Sequence, residues 1–176
     1  MSESPAEYEA VVYDLDGTLV RLAVDWETVE REVAAVLLDA GIDPDELVTW
    51  ELLDVAEQNG VGERVNEIIA GHERAGAERA EILTTAEELL ADDVPTGVVS
   101  LNAEAAVRIA LETTGLIDAV DVVVGRDTLD TRKPDPTPLL TAIERLAVSP
   151  ETVLFVGDSD TDEETARRAG VDFRYV

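Results

Sequence analysis

In the segment EAVVYDLDGTL, residues 9–19, a short apolar run ends in two aspartates and a glycine turn. Four consecutive apolar residues between polar ones, residues 10–13, predict a short buried strand of the kind found in parallel sheets. In open sheets of this kind, ligands bind outside the carboxyl ends of the strands. Asp14 and Asp16 directly follow this strand and are therefore candidate functional residues.

Strand and helix patterns alternate regularly from about residue 85 onward. The strand patterns are TGVVSLN, AVDVVVG, TVLFVGD and VDFRYV, at residues 96–102, 119–125, 152–158 and 171–176, and a helical pattern precedes each of them. Short valine-rich strands that alternate with helices indicate a parallel sheet covered by helices on both faces. Together with the first strand they predict an α/β fold, a doubly wound, Rossmann-like sheet of five parallel strands.

The chain between the first strand and this alternating region is predicted to be helical. Its three helical patterns cover residues 25–41, 43–60 and 62–83. Asp25 is a residue type favoured at a helix N-cap, and Gly41 suits the end of the first helix. We therefore expect an α/β core of residues 1–20 and 82–176, with a small α-helical cap of residues 21–81 inserted after the first strand.

The acidic composition limits the possible partners. The chain of 176 residues has 40 acidic and 13 basic side chains and a net charge of −27. Such a field repels nucleic-acid phosphates and anionic lipid head groups, so we expect neither a nucleic acid nor a membrane surface as a partner. The near-exclusion of lysine beside abundant Asp and Glu is similar to proteins of salt-loving organisms. It predicts a halophilic protein whose melting temperature rises with the KCl concentration.

Cysteine content and hydropathy bear on the compartment. No cysteine is present, which excludes disulfide bonds and thiolate metal sites. The first ten residues have neither the basic nor the apolar region of a signal peptide, and no apolar run approaches the length of a membrane span. The expected location is therefore the cytoplasm, and both a monomer and a homodimer are compatible with the sequence.

Polar side chains also follow the later strands. Ser100 and Asn102 end the second strand pattern, Asp158 ends the fourth with Asp162 close behind, and Lys133, the only lysine, lies in the loop after the third. A single aspartate at a strand end is about as often solvated surface as ligand, but here four segments bring polar groups to one edge. Clustered carboxylates need a cation, and oxygen ligands favour Mg²⁺. A carboxylate beside that ion can attack phosphorus, while an ammonium and a hydroxyl neutralise the phosphoryl charge.

These residues resemble, in order, the four motifs of the haloacid dehalogenase superfamily of phosphohydrolases. The matching stretches are DLDGT at residues 14–18, Ser100, KPDP at residues 133–136 and GDSDTDEETARRAG at residues 157–170. The similarity is greatest to the phosphoglycolate phosphatase-like branch, in which the cap lies between the first and second motifs. The resemblance implies Mg²⁺-dependent hydrolysis of a small phosphorylated metabolite, phosphoglycolate-like or a sugar phosphate, through an aspartyl-phosphate intermediate.

The resemblance also implies a role for each matching residue. Asp14 is expected to be the nucleophile and a metal ligand. Asp16 is expected to be the general acid and then the base, with its backbone carbonyl on the metal. Asp158 is expected to bind Mg²⁺ directly, and Asp162 to support the ion from nearby. The residues expected to bind the substrate phosphate are Gly17, Thr18, Ser100, Asn102 and Lys133.

Further expectations concern the catalytic roles of Ser100 and Lys133, the role of Asn102 and the type of reaction that Asp16 favours. Ser100 and Lys133 are also expected to be catalytic, the first by donating to phosphoryl oxygens and the second by balancing charge. The second motif reads SLN, whereas in relatives the asparagine more often follows the hydroxyl residue directly, so the role of Asn102 stays open. Asp16 favours ester hydrolysis over dehalogenation, because an ester needs a proton donor for its leaving oxygen.

Other functions use similar residues. DSDTDEE has the aspartate spacing of a calcium loop, but an EF-hand needs glycine at the sixth place and glutamate at the twelfth, where Glu163 and Ala169 stand. A bacterial receiver domain also combines acids, a hydroxyl and a lysine, but its phosphorylated aspartate comes from the third strand and its lysine comes last. A phosphomutase and a non-catalytic regulatory or binding protein of the same fold remain alternatives.

The predicted cap carries no motif that identifies a substrate. Its third helical pattern includes three arginines, Arg64, Arg74 and Arg79, and the only histidine, His72. Such side chains are more often a solvated helix face, although a cap that closes over the site could bring some of them to a substrate. Trp26 and Trp50 are predicted to form part of the small apolar core of the cap.

Overall fold

The structure is a computed structural model that describes residues 8–44 and 49–176. Its strands are β1 (Ala10–Tyr13), β2 (Val20–Arg21), β3 (Glu81–Ile82), β4 (Thr96–Val99), β5 (Val122–Val124), β6 (Val153–Gly157) and β7 (Asp172–Tyr175). Its α-helices are α1 (Trp26–Asp39), α2 (Thr49–Gln58), α3 (Gly62–Ala77), α4 (Ala86–Ala91), α5 (Glu104–Thr114), α6 (Thr137–Leu146) and α7 (Asp160–Ala169). Within these residues, no helix has both the length and the apolar character needed to cross a membrane.

The main sheet has five parallel strands in the order β5-β4-β1-β6-β7. From β1 the chain builds outward through β4 and β5 on one side, then returns to β6 and β7 on the other. In doubly wound sheets, such a reversal of strand order opens a crevice at the carboxyl ends of the central strands. The predicted five-stranded, Rossmann-like parallel sheet is confirmed, and the reversal at β1 fixes where a ligand can enter.

Strand β1 is buried on both faces, which is why its four residues are all apolar. Val11 and Tyr13 pack in one core cluster with side chains of α4 and α5, and Ala10 and Val12 pack in another with α6 and α7. Fully burying a side chain such as valine contributes roughly 1.5–3 kcal/mol relative to exposure. The two helical layers therefore hold β1, and the residue that follows it, in a fixed position.

The insertion after β1 contains the three predicted helices with changed ends. Asp25 caps α1 as predicted, since its carboxylate accepts a hydrogen bond from the Thr28 backbone N–H at 3.2 Å. Helix α2 begins at Thr49 in the described chain, and the earlier part of its predicted range, residues 45–48, lies outside the described residues. The helix therefore has a defined end but no described start.

Helix α3 continues through both of the glycines that weaken its sequence pattern, Gly71 and Gly76. A Cβ atom at Gly76 would lie 2.6 Å from the Val24 side chain and 3.0 Å from the Ala23 backbone. Gly76 is thus required by the close approach of α3 to the chain that enters the insertion. A glycine inside a helix is about 1 kcal/mol less favourable than an alanine, and the close contact requires it despite this cost.

The insertion has an apolar core of its own. Buried aliphatic side chains from all three helices form it: Val29, Val33, Val36, Leu37, Leu52, Leu53, Ala56, Val65 and Ile69. Trp26 and Trp50 pack against this cluster, as the sequence predicts. A separate core is what a cap needs to keep its shape, and we propose residues 21–81 as that unit.

A small antiparallel ribbon, which the sequence analysis did not predict, joins the two ends of the insertion. Val20 of β2 pairs with Ile82 of β3, and Arg21 pairs with Glu81. Two strands of two residues each are too short to show any hydrophobic period, so the pattern gave no signal. The proposed domain boundaries, at residues 20/21 and 81/82, fall inside this ribbon.

Candidate active site

The turn after β1 sets the position of the first two candidate residues. The Asp14 backbone N–H donates to the Val156 carbonyl at 2.9 Å, which extends the β1–β6 pairing by one residue. Gly17 has a φ of +91°, and a Cβ atom there would lie 2.1 Å from Asp158 Oδ2. Only glycine permits both this backbone conformation and the approach of the Asp158 carboxylate. The turn therefore brings the first and fourth motifs into contact.

Lys133 lies in the loop between β5 and α6, and its ammonium is buried among acceptors. Its Nζ donates to Asp14 Oδ1 at 2.7 Å, to Asp162 Oδ1 at 2.5 Å and to the Val99 carbonyl at 3.2 Å. Burial lowers the pKa of Lys133, but the attraction of Asp14 and Asp162 outweighs it and holds the pKa above its usual value. The ammonium is therefore charged and directed toward two carboxylates.

Asp14 is buried, with only 6% of its surface exposed. Burial raises the pKa of Asp14 to about 6, the nearby Lys133 opposes that rise, and the negative charge of Asp162 adds to it. The other oxygen, Oδ2, accepts a hydrogen bond from the Thr18 hydroxyl at 3.3 Å. Thr18 is itself fully buried, so in this structure it contacts Asp14 rather than the open cavity.

The spacing of the fourth motif has a direct structural cause. Ser159 is the N-cap of α7 and forms a capping box with Asp162, whose Oδ2 accepts from the Ser159 hydroxyl at 2.6 Å. A Cβ atom at Gly157 would lie 2.6 Å from Asp162 Cβ, so glycine is needed for the helix to begin this close to β6. Both oxygens of Asp162 are thus occupied, one by the cap and one by Lys133.

Three carboxylates meet the requirements for a divalent cation. Asp14, Asp158 and Asp162 each present one oxygen atom, and these oxygens lie within 4.8 Å of one another. Burial raises the pKa of Asp158, and the charge of Asp162 raises it further, as expected for carboxylates that repel one another. An all-oxygen donor set of this kind fits a hard ion such as Mg²⁺. Asp158 is the most exposed of the three and is accessible from the cavity.

Asp16 lies in the same turn and also lines the site cavity. Its Oδ1 accepts a hydrogen bond from the Leu22 backbone N–H at 2.9 Å, which orients the carboxyl group. Burial raises the pKa of Asp16, while this hydrogen bond opposes the rise. A carboxyl whose pKa is raised keeps a proton to a higher pH, which is what a proton donor requires.

Ser100 and Asn102 are joined by two hydrogen bonds. The Ser100 hydroxyl donates to Asn102 Oδ1 at 3.0 Å, and the Asn102 backbone N–H donates to the Ser100 Oγ at 3.1 Å. The two-residue spacing in SLN thus allows the amide to orient the hydroxyl. Both side chains are buried and line the cavity.

Two functional candidates were missed by the sequence analysis, Glu73 on α3 and Arg126 after β5. Glu73 is fully buried, and its carboxylate accepts from Asn102 Nδ2 at 3.0 Å, from the Ala103 N–H at 3.0 Å and from Arg126 Nη1 at 2.7 Å. Glu73 is one acid among 40 on a helix with a charged face, so nothing marked it. Arg126 follows Gly125 directly after β5, and this position at a strand end could have identified it.

The site cavity has a volume of about 280 Å³. It is lined by Asp14, Asp16, Trp26, Trp50, Ser100, Leu101, Asn102, Lys133, Asp158, Ser159 and Asp162. The two tryptophans therefore belong to the wall of the site as well as to the core of the insertion, and only the second role was predicted. His72 instead pairs with Glu32 at 3.0 Å, and it lines a different surface depression.

The doubly wound parallel sheet with an acidic cluster at its strand ends agrees with the class of phosphohydrolases whose motifs the sequence resembles. A sequence model of haloacid dehalogenase-like hydrolases matches residues 11–176, and the chain belongs to this family. It is 36% identical to a phosphoglycolate phosphatase of Cereibacter sphaeroides over 93% of the chain and 82% of that protein. It is 34% identical to a phosphoglycolate phosphatase of Rhodospirillum rubrum over 93% of the chain and 77% of that protein.

A solved structure has the same fold. The crystal structure of a Lactobacillus plantarum protein, assigned as a phosphoglycolate phosphatase, superposes with a TM-score of 0.67 and 25% identity. The superposition covers 96% of this chain and 86% of that one. The family expected from the four motifs is therefore confirmed.

Proposed function

We propose that the protein is a Mg²⁺-dependent phosphatase that hydrolyses a small phosphomonoester through an aspartyl-phosphate on Asp14. The observation that carries this proposal is the buried pair of Asp14 and Lys133, 2.7 Å apart, beside the oxygens of Asp158 and Asp162. Family membership supports it, and the names of the curated relatives make a small phosphomonoester the substrate class to test first.

The proposed metal site uses Asp14 and Asp158 as side-chain ligands, with the Asp16 backbone carbonyl beside them. Asp162 would support the site without binding the ion directly, since one of its oxygens accepts two hydrogen bonds from Ser159 and the other accepts from Lys133 at 2.5 Å. When bound, Mg²⁺ would neutralise part of the charge of the phosphoryl oxygens.

In the first step, a carboxylate oxygen of Asp14 forms a bond to phosphorus as the bond from phosphorus to the alcohol oxygen breaks. Asp16 gives its proton to the leaving oxygen, which the raised pKa of its carboxyl favours. In the second step, water attacks phosphorus, Asp16 takes the proton of that water, and the bond to Asp14 breaks. Inorganic phosphate leaves and both carboxyl groups return to their starting states.

The remaining residues hold charge and orientation. Lys133 faces the attacking carboxylate and balances the negative charge that the phosphoryl group brings. Ser100 is proposed to donate to a phosphoryl oxygen, which requires its hydroxyl to turn from Asn102. Asn102 can accept that change because its own amide stays anchored to Glu73.

The experiment is hydrolysis of p-nitrophenyl phosphate with Mg²⁺ and with EDTA. Asp14→Asn should abolish turnover and leave the fold intact, because the amide is nearly isosteric but is a far weaker nucleophile. Asp160→Asn is the matched control, since Asp160 lies two residues from both Asp158 and Asp162 yet does not line the site cavity. Activity that survives Asp14→Asn, or that is unaffected by EDTA, would contradict the proposal. Release of inorganic phosphate from sugar phosphates separates a phosphatase from a phosphomutase.

A further inference from the structure

The site cavity has an aromatic wall on the side of the insertion. Of the residues that line it, only Trp26 and Trp50 come from the described part of the insertion, and the others come from the α/β core. Trp26 is the first residue of α1 and Trp50 the second of α2, and their rings meet edge to face with centroids 6.1 Å apart. An alcohol attached to a phosphoryl group at Asp14 therefore meets indole rings.

Among the described residues that line the cavity, no basic side chain remains to pair with a second anionic group of a substrate. Lys133 is the only basic side chain among the described residues that line it. Its ammonium donates to two carboxylates and a carbonyl, and four carboxylates line the same space. The phosphoryl group and the surrounding carboxylates therefore take the charge of Lys133 and of the Mg²⁺ proposed above.

The basic side chains of the insertion do not bring a further positive charge to the cavity. The insertion has five arginines and one histidine, and none of them lines the cavity: Arg21, Arg31, Arg64, His72, Arg74 and Arg79. His72 is paired with Glu32, and Arg79 donates to the Ala23 carbonyl. Residues 45–48, outside the described chain, read DELV and contain no basic side chain.

Arg126 lies against the aromatic wall, and its charge is paired with that of Glu73. Its guanidinium carbon lies 5.4 Å from the centroid of the Trp50 ring, and its Nη1 donates to Glu73 at 2.7 Å. It does not line the cavity. Its contribution is to hold the Trp50 ring in place through a cation–π contact.

We propose that this wall makes the enzyme selective for phosphate esters of small neutral alcohols, such as a sugar phosphate, over esters whose alcohol carries a carboxylate. The proposal rests on the phosphatase activity proposed above. The two indole rings give an alcohol an apolar surface to pack against, and they carry no formal positive charge that could pair with a carboxylate. A carboxylate taken from water into this space without a partner loses hydration that nothing replaces. The volume of about 280 Å³ restricts the alcohol to a small one.

Matched pairs of substrates test the proposal on the unaltered protein. In each pair the two esters have similar size and differ by one carboxylate: 2-hydroxyethyl phosphate against 2-phosphoglycolate, and glycerol 3-phosphate against 3-phosphoglycerate. Assays in about 1 M KCl shorten the Debye length to about 3 Å, so that the long-range field of the protein does not decide the result. We expect kcat/KM to be at least about tenfold higher for the neutral member, or roughly 1.4 kcal/mol.

The outcomes separate this proposal from the one on which it rests. Equal or higher kcat/KM for the carboxylated esters, with p-nitrophenyl phosphate hydrolysed, would overturn the neutral-alcohol preference and leave the phosphatase activity standing. Failure to hydrolyse any ester with Mg²⁺ would overturn both.

Tryptophan fluorescence gives a readout that does not depend on turnover. Trp26 and Trp50 are the two tryptophans of the chain and both line the cavity, so their emission reports on its occupancy. In the Asp14→Asn protein, glycerol 3-phosphate should change the emission at a lower concentration than 3-phosphoglycerate. Equal concentrations would contradict the proposal.

Variants of the wall complete the test. Trp50→Leu and Trp26→Leu should each reduce the ratio of kcat/KM values between neutral and carboxylated esters. Leu38→Ala is the matched control, because Leu38 is 61% exposed on α1 and does not line the cavity. An unchanged ratio in both folded tryptophan variants would overturn the assignment of selectivity to these rings.

Discussion

At the scale of single residues, the position of Lys133 shows why one ammonium has been kept in an acidic chain. Its three N–H groups meet three acceptors, and its side chain is 2% exposed. Elsewhere on the surface, an arginine can replace a lysine at little cost, because exposed ion pairs contribute about 0–1 kcal/mol. Between two buried carboxylates, a compact ammonium and a planar guanidinium are not equivalent.

Lys133→Arg should therefore strongly impair activity in a protein that still folds. The larger guanidinium cannot occupy the same point between Asp14 and Asp162, so kcat should fall about 100-fold, as for loss of a well-placed charge donor. Overpacking should cost about 1–3 kcal/mol in the free energy of unfolding. Steady-state kinetics and urea denaturation measure the two effects.

Arg145→Lys is a suitable control for that exchange, because Arg145 is exposed in the last turn of α6. It should change neither quantity appreciably. Wild-type kinetics in Lys133→Arg would mean that the reaction does not need an ammonium at this point.

At the scale of elements, α3 is tied to the core by one buried ion pair. The side chains of Glu73 and Arg126 are 0% and 2% exposed, and their atoms are 2.7 Å apart. The Glu73 carboxylate accepts a hydrogen bond from Asn102, and Asn102 accepts one from the Ser100 hydroxyl. Helix α3 of the insertion therefore helps to position Ser100 in the site.

Glu73→Gln should leave the Arg126 charge buried without a full partner. Breaking such a pair from one side costs about 3–5 kcal/mol, whereas replacing both members by apolar side chains of similar volume is often neutral. The double variant Glu73→Gln/Arg126→Met should therefore be more stable than Glu73→Gln in urea denaturation, because it removes the unpaired charge and keeps an amide oxygen as acceptor for Asn102 or Ala103. Glu67→Gln, on the exposed face of α3, should change stability by less than about 0.5 kcal/mol. A double variant less stable than the single one would refute this account of the pair.

Many of the secondary-structure elements, and part of the site, can be predicted from the sequence. Alternating apolar runs and helical periods predict the five-stranded sheet and the three inserted helices, because β1 and its neighbours are buried on both faces. The strand-end motifs predict which carboxylates gather around Lys133. The β2–β3 ribbon, Glu73 and the cavity-facing role of Trp50 are not predictable in this way. Each depends on contacts between segments that are far apart in the sequence, and a local pattern of residue types contains no information about such contacts.

At the scale of the whole molecule, the net charge of −27 is the dominant physical property. It is carried by a chain with 13 basic residues, so most of the 40 acidic side chains have no basic partner available. Repulsion among them opposes the compact state, and dissolved ions reduce it.

The melting temperature should therefore rise with salt. Raising KCl from about 0.1 M to about 1 M shortens the Debye length from about 10 Å to about 3 Å. A gain of about 2 kcal/mol would raise the melting temperature by roughly 4–8 °C in a protein of this size. Circular dichroism melts measure it, and a neutral osmolyte such as glycine betaine at equal osmolality serves as the control. Full stability at low salt would rule out the halophilic interpretation.

The β2–β3 ribbon has an evolutionary consequence. Since Val20 and Ile82 are paired neighbours, the chain leaves the α/β core and returns to it at a single point. Residues between them can lengthen, shorten or be exchanged for another module without changing any hydrogen bond of the main sheet. The exchange has one condition: a new module must bring an acidic side chain to Arg126, or that arginine must be lost with the old one.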